Sequence, residues 1–337
     1  MTTIASPVTN SQLVQERVAS AVWEGLTALP KRLPPWLFYD EAGSRLFDEI
    51  TERPEYYLTR TERAIFAAHA ERMIARAAES FVDATGGAES IPLRITELGA
   101  GSADKTRLLL AAAVARQRTL VYEPVDVSAS ALEVARERIE REFGGVTVAP
   151  RVADYTHGLG LEPTGERRLV LYIGSSIGNF EPWAAAELLE RVCAELQPGD
   201  GLLLGVDLVK DEATLLAAYD DFAGVTAAFN LNLLARLNRE LGANFDLEAF
   251  AHRAIWNPAE SRIEMHLESR IAQSVRLEGL DLEVDFAAGE SIHTENSYKY
   301  RPGQAEALLE AAGFAPVESW TDEQGWFGIC LGRKVSS

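Results

Sequence analysis

Between Pro92 and about residue 210 the chain repeats one pattern, a short and almost wholly apolar run followed by a segment of helical spacing. The runs are LRITELGAG, TLVYEPVD, VTVAPRVADY, RLVLYIGSS and GLLLGVDLV. Strands that are apolar on both faces must be covered on both faces, and helices between them supply the crossovers of a parallel sheet. This stretch therefore reads as α/β.

The rhythm breaks after Lys210. A helical stretch spans roughly Glu212 to Leu241, and Asp-Leu-Glu-Ala at Asp246 reads as the capped start of another helix. Two runs with strand alternation follow, SRIEMHLESRIAQSVRLEG and DLEVDFAAGESIHTENSYKY, then a helix, QAEALLEAAGF, and two strand-like runs, APVESWT and GWFGICLGR. Before the sheet, Leu13, Val14, Val18, Val22 and Leu26 lie on one helical face, which Pro30 and the Pro34-Pro35 pair close. The expected architecture is an α/β sheet interrupted by an inserted α+β segment.

Composition narrows the partners. A chain of 337 residues with 47% hydrophobic content is long enough for two domains and their cores. A net charge of -19 argues against nucleic acid and against anionic membrane, both of which it would repel. No run reaches the length of a membrane span, and MTTIASPVTNSQLVQERVAS lacks the apolar centre of a signal peptide. Cys193 and Cys330 are expected to be free buried thiols in a reducing compartment, which places the protein in the cytoplasm. None of the five histidines pairs with another His or Cys at metal-ligand spacing, so no metal is expected.

The segment LRITELGAGSADKTRLLLAAA reads as a strand, a loop with Gly99 and Gly101, and a helix. Such a loop lets backbone approach a ligand and presents the N-H groups of the helix start. A dinucleotide fingerprint would want a third glycine where this chain has Asp104, which argues against hydride chemistry. What remains is the glutamate-glycine-x-glycine loop that binds S-adenosylmethionine. One βα unit later Glu123 and Asp126 compete to accept the ribose hydroxyls, and Asp126 is preferred. Asp154 and Tyr155, after the third strand, could meet the adenine amino group and ring. Gly174-Ser175-Ser176-Ile177-Gly178 fits the G-x-S-x-G of serine hydrolases, but the next helix begins only near residue 182, too late for a nucleophile elbow. Asn179 in that loop could instead offer an amide to a substrate.

In GESIHTENSYKYRP, residues 289–302, strand alternation puts His293, Glu295, Ser297 and Lys299 on one face and Thr294, Asn296, Tyr298 and Tyr300 on the other. Neither face reads as core. The segment is either a solvated edge strand or a polar pocket.

Several long segments converge on one family. LPPWLFYDEAGSRLFDEITERPEYYLTRTE, ELGAGSADKT, IGSSIGN, LLLGVDLVKD, AAYDDFAGVTAAFNLNLLARLNRELGANFDLEAF and TENSYKYRP together resemble the histidine-specific Nα-methyltransferases of ergothioneine biosynthesis. The resemblance runs from about residue 20 to the C-terminus. It implies a class I Rossmann-like methyltransferase sheet with an inserted α+β substrate-binding domain. The cofactor domain would comprise residues 62–209 and 300–337, and the substrate domain residues 8–61 and 210–299. It also implies trimethylation of the α-amine of L-histidine by S-adenosyl-L-methionine, giving hercynine, in a monomer.

By the same resemblance Gly99, Lys105, Asp126, Asp154 and Tyr155 would contact the cofactor. Tyr56, Asn179, Tyr219, Met265, Glu295 and Ser297 would contact the substrate, with Tyr39 close to the reacting amine. Taken without the family, Tyr56 and Tyr219 could be core or helix-face aromatics and Met265 ordinary packing. Where some members read TEVSCKF this chain reads TENSYKY, which keeps Glu295 and Ser297 but changes Asn296 and Tyr298.

Methyl transfer needs a neutral amine aligned with the carbon-sulfur bond. A carboxylate beside that amine would hold it protonated, so Glu295 belongs at the imidazole end, where it and Ser297 can serve the two ring nitrogens. Asn179 and Tyr219 can donate to the substrate carboxylate. Tyr39, a phenol of ordinary pKa about 10, suits orientation better than proton removal. A cofactor sensor without turnover is the competing reading, and retention of the substrate residues argues against it.

Overall fold

In the computed structural model, residues 10–79, 91–101 and 103–336 are described, with the side chains of 10–14 excepted. The side chains of Leu13 and Val14, and Ser102 of the glycine loop, lie outside that set. Along the chain, α1 (Asn10–Thr27), α2 (Glu41–Thr51) and α3 (Tyr57–Ala78) precede the alternating region. This region runs β1 (Leu93–Leu98), α4 (Arg107–Gln117), β2 (Leu120–Asp126), α5 (Ala129–Glu142), β3 (Val146–Val148), β4 (Arg151–Val152), β5 (Arg167–Tyr172), α6 (Pro182–Glu195) and β6 (Gly201–Asp207). Then come α7 (Glu212–Tyr219), α8 (Val225–Leu241), β7 (Phe250–Asn257), β8 (Arg262–Ser269), β9 (Gln273–Leu277), β10 (Leu282–Phe286) and β11 (Ser291–Tyr298). The chain ends with α9 (Gln304–Ala311), β12 (Phe314–Thr321) and β13 (Phe327–Lys334).

The chain divides into two compact units: Met1–Tyr57 with Asp211–Ser297, and Leu58–Lys210 with Tyr298–Ser337. The second unit holds the large sheet, in the order β12-β13-β6-β5-β1-β2-β3, with β4 also on β2. Strands β3, β2, β1, β5 and β6 are parallel, while β13 runs antiparallel to β6 and β12 antiparallel to β13. Every residue of β5 and β6 is buried, as the unbroken apolar runs require. Two apolar clusters fill the layers on the sheet, one including Phe66, Met73, Ile95 and Leu110, the other Val170, Leu188, Leu204 and Leu309.

The first unit holds a three-stranded sheet, β11-β8-β7, and the β9-β10 hairpin. One buried amide organises it. Asn230 on α8 donates to His252 Nδ1 on β7 (2.9 Å) and to the His266 carbonyl on β8 (3.0 Å), and accepts from Thr294 Oγ1 on β11 (2.9 Å). His252 passes the connection on, its Nε2 donating to the Tyr219 carbonyl at 2.8 Å. Its ring is thus fixed as the neutral tautomer with a proton on Nε2.

Two expectations are corrected here. The single helix over 212–241 is two helices, because Asp221 accepts from Thr226 N (2.7 Å) and Val225 N (3.1 Å) and so caps a new start at α8. Asp246 does accept from Glu248 N, but only a three-residue 3-10 turn follows before the chain enters β7. Cys193 and Cys330 are free and buried. Among the described residues no helix is long and apolar enough to cross a membrane.

Asn230→Ala strips three hydrogen bonds and leaves Thr294 and His252 in the interior without them, so we expect a loss of about 3 kcal/mol in denaturant unfolding. Burial pushes the His252 pKa below its ordinary 6.5. A depressed pKa gives a contribution fully present above 6.5 and lost as pH falls through the folded value. The melting temperature should drop on acidification below that point, and His252→Gln should flatten the slope.

Candidate active site

Strand order in the large sheet reverses between β1 and β5, and ligands of open α/β sheets bind beyond the carboxyl ends of strands at such a reversal. The loop after β1 carries Gly99 (φ +65°) and Gly101 (φ +51°), left-handed positions that favour glycine. Gly101 N donates to Asp126 Oδ2 (3.0 Å), and Asp126 Oδ1 accepts from Ser128 N (2.9 Å), which fixes this carboxylate at the end of β2. A Cβ on Gly99 would lie 3.6 Å from the Tyr155 ring, so glycine loop and tyrosine are neighbours. Asp154 orients the Tyr155 turn by accepting from Thr156 N (3.0 Å) and Oγ1 (2.6 Å). The Tyr155 ring stands edge-on to Tyr172, with centroids 5.6 Å apart.

Lys105 is held from below. Its Nζ lies 2.8 Å from Glu62 Oε2, and Glu62 Oε1 accepts from Gly174 N at 2.7 Å. Glu62, fully buried on α3, therefore joins the loop after β1 to the loop after β5. Nearby, Glu97 accepts from Thr106 Oγ1 (2.6 Å) and from the Tyr122 hydroxyl. Burial pushes its carboxyl up to about 7 despite these bonds. Asp104, where a dinucleotide loop would have glycine, is paired with Arg63 and Arg138.

The structure separates the two acids that competed at β2. Glu123 is buried and pairs with Arg168 and with Arg94 (3.0 Å), while Thr96 Oγ1 donates to it at 2.9 Å. Burial raises its pKa, but the Arg168 bond and charge outweigh that and hold it below the ordinary range. Asp126 is the acid left at the loop.

Asn179 ends a 3-10 turn, Ser176–Asn179, and α6 begins only at Pro182, so the α-helix that would follow a nucleophile directly is absent after Ser176. A Cβ on Gly178 would come within 2.8 Å of the Tyr298 carbonyl oxygen. The Tyr298 hydroxyl donates to Glu181 Oε2 at 2.5 Å. The Tyr298 departure thus anchors the turn that carries Asn179. Lys299, expected on a polar strand face, is instead fully buried against Asp207 (2.8 Å), which also pairs with Lys210 (2.6 Å). Burial pushes Lys210 down to about 8.

In the first unit an aromatic series runs through the candidate substrate residues. Tyr39 meets Phe47 (5.7 Å) and Phe229 (5.9 Å) edge-on, Phe47 meets Tyr56 (6.2 Å), and Tyr56 meets Tyr219 (6.5 Å). The Tyr219 hydroxyl and Ser297 Oγ are hydrogen-bonded at 2.6 Å. Beside Tyr39, Asp40 caps α2 through Gly43 N (2.7 Å) and holds Asn232 (2.9 Å) and Arg239 of α8. Glu295 is 8% exposed and Met265 is 2% exposed. Along β11 burial alternates through Ile292 and Thr294, then slips by one residue so that Glu295 and Ser297 are buried in turn. The strand is neither solvated nor divided into the two faces that strict alternation gives.

Tyr39, Tyr56, Tyr219 and Ser297 are thus linked within one unit, and Gly99, Asp126 and Tyr155 within the other. Sequence reasoning missed Phe47, Phe229 and Glu62. All three stand inside segments that carried the family resemblance, Glu62 as the last residue of the first, but a buried glutamate on a long helix gives no local signal of its own.

The strand order β3-β2-β1-β5-β6-β13-β12, with the glycine loop at the reversal between β1 and β5, is that of a class I, Rossmann-like S-adenosylmethionine-dependent methyltransferase. A family model described as histidine-specific methyltransferase, SAM-dependent, matches residues 18–334, and the chain belongs to that family. It is 49% identical over 316 residues to a histidine N-alpha-methyltransferase of Mycolicibacterium smegmatis, covering 94% of each chain. The like-named protein of Mycobacterium tuberculosis is 48% identical over 93% of this chain and 94% of its own. Ergothioneine biosynthesis protein 1 of Neurospora crassa is 31% identical over 87% of this chain and 32% of its own length.

Glu123→Ala would leave the buried Arg168 guanidinium without its carboxylate, while Arg94 keeps Glu166, and should cost about 3 kcal/mol in chemical unfolding. Glu97 gives a pH signature of the opposite sign to His252. Its raised pKa makes a contribution fully present below 4.5 and lost as pH rises through about 7. Glu97→Gln, which mimics the protonated acid, should be the more stable protein at pH ~8, read as melting temperature across that range.

Proposed function

We propose that this enzyme transfers three methyl groups in succession to the α-amine of L-histidine, giving hercynine, as the first step of ergothioneine biosynthesis in the cytoplasm. The observation that carries this reading is the Tyr219–Ser297 hydrogen bond beside the buried Glu295. A neutral imidazole has one N-H and one lone-pair nitrogen. Glu295 accepts from the first. When Tyr219 donates to Ser297, the serine hydroxyl is oriented to donate to the second. An apolar side chain would offer neither the donor nor the acceptor, at about 1–3 kcal/mol for each hydrogen bond forgone.

S-adenosylmethionine, when bound, supplies the electrophilic methyl of its sulfonium. The chain's own residues do the positioning. Asp126 accepts from the ribose hydroxyls, Asp154 and Tyr155 meet the adenine, and Lys105, kept in place by Glu62, serves the Gly99 loop. Asn179 donates to the substrate carboxylate, while Tyr39 and Tyr56 orient the amine and Met265 packs beneath. In each cycle the chain's residues would hold the neutral amine with its lone pair in line with that methyl. The first two products each lose a proton before the next transfer, and the third is a quaternary ammonium.

Mass spectrometry after incubation with S-adenosylmethionine and an equimolar mixture of amino acids should find three added methyl groups on histidine alone. Methylation of a different amino acid would overturn the substrate, and no product would overturn the activity. Glu295→Ala should lower kcat/KM for histidine about tenfold or more with cofactor affinity unchanged, whereas Asp126→Ala should do the reverse.

A further inference from the structure

Sequence spacing gave no metal ligands, yet folding gathers three. Glu264 and His266 lie two residues apart on β8 and His293 lies on β11, and one ligand atom from each falls within 4.8 Å of the others. The two imidazoles are stacked, with centroids 4.6 Å apart and planes at 19°. All three side chains are only partly buried, so an ion can reach them. We propose that Glu264, His266 and His293 form a binding site for a zinc-class divalent transition metal, separate from the methyl-transfer residues.

The donor set decides the class of ion. Two imidazoles with one carboxylate suit zinc, nickel or copper, and lack the oxygen-only ligation that magnesium or calcium requires. Spacing fits as well. Tetrahedral ligation with bonds of 2.0–2.1 Å puts neighbouring donor atoms about 3.3 Å apart, and His266 Nε2 lies 3.2 Å from Glu264 Oε2. The ion would take the place of the proton shared by that pair, and His293, whose ligand atom lies within 4.8 Å of both, would be the third ligand.

Each ligand is also oriented from behind, as ligands in metal sites usually are. Glu264 Oε1 accepts from Asn257 Nδ2 (2.9 Å) and Arg262 Nε (2.8 Å), which leaves Oε2 for the ion. His293 donates through Nε2 to the Glu295 carbonyl at 3.0 Å, so Nδ1 carries its lone pair. His266 Nδ1 faces Ser291 Oγ at 3.5 Å, leaving Nε2 toward Glu264. The His293–Glu295 bond also ties the site to the strand that carries Glu295, so occupancy bears on histidine binding.

The test uses the full chain without an affinity tag, stripped of metal and free of histidine, which chelates metals itself. Calorimetric titration should show one zinc ion bound with micromolar affinity or better and no saturable response to magnesium or calcium. His266→Ala and His293→Ala should each weaken zinc binding about tenfold or more. Cobalt bound to the unmutated chain should give the visible absorption of tetrahedral nitrogen and oxygen ligation, a readout that does not depend on a variant folding. Millimolar or unsaturable zinc binding, unchanged affinity in both variants, or a thiolate-to-cobalt band would each overturn the site.

Discussion

A buried carboxylate must be matched, and the half of this protein that holds the large sheet is arranged around matching Glu62. An ionised glutamate at full burial survives only when charge and N-H groups are brought to it. Lys105 and the Gly174 N-H are those groups. Steric room is the second requirement. A Cβ on Gly205 would lie 2.6 Å from Glu62 Oε1, and one on Gly174 would lie 2.7 Å from Lys105 Nζ. Gly205 thus leaves room for the glutamate where it lies, and Gly174 for its lysine. Its negative charge contributes, after burial itself, to the raised pKa of Glu97, because two carboxylates near one lysine do not both ionise easily.

The other unit solves a similar problem with neutral groups. Asn230 uses both amide hydrogens and its oxygen on three strands, and His252 carries the connection to Tyr219. The same Thr294 proton is within reach of the Met265 carbonyl at 3.0 Å, and is shared between the two acceptors, holding β11 to β8 one residue before Glu295. A pocket that reads hydrogen bonds needs its own groups held to within a fraction of an ångström. A fully satisfied polar network supplies that rigidity.

What could be read from the chain followed the range of the forces involved. Buried parallel strands announce themselves as continuous apolar runs, so β5 and β6 were legible from LVLY and LLLGV. Strand β7 was not, because its burial is partial and FAHRAIWN alternates neither cleanly nor hydrophobically. Asp246 is a true cap, and only the tertiary pairing of β7 with β8 stops the helix that it begins. The break between α7 and α8 did carry a signal, Asp221 before Gly224, which the helical periodicity on either side outweighed. That Glu123 is engaged by Arg168, 45 residues further on, was not readable from the sequence around β2. The slip in burial at Thr294 and Glu295 left no mark in the sequence at all, since both residues are polar.

On the proposed reading, the aromatic series has a purpose beyond packing. Each methylation removes an N-H and, at the end, fixes a positive charge on nitrogen, so hydrogen bonds that hold the first substrate cannot hold the last product. Ring faces can, because they attract an ammonium irrespective of its hydrogens, by about 0.5–1 kcal/mol where exposed and about 2 where dry. Tyr39, 41% exposed, together with Phe47, Phe229 and Tyr56, forms a surface of that kind. A carboxylate there would bind the cation far more strongly, but it would also keep the incoming amine protonated and would slow release of the trimethylated product. Placing Glu295 at the ring end and aromatic rings at the amine end lets one site accept a neutral nucleophile and discharge a permanent cation.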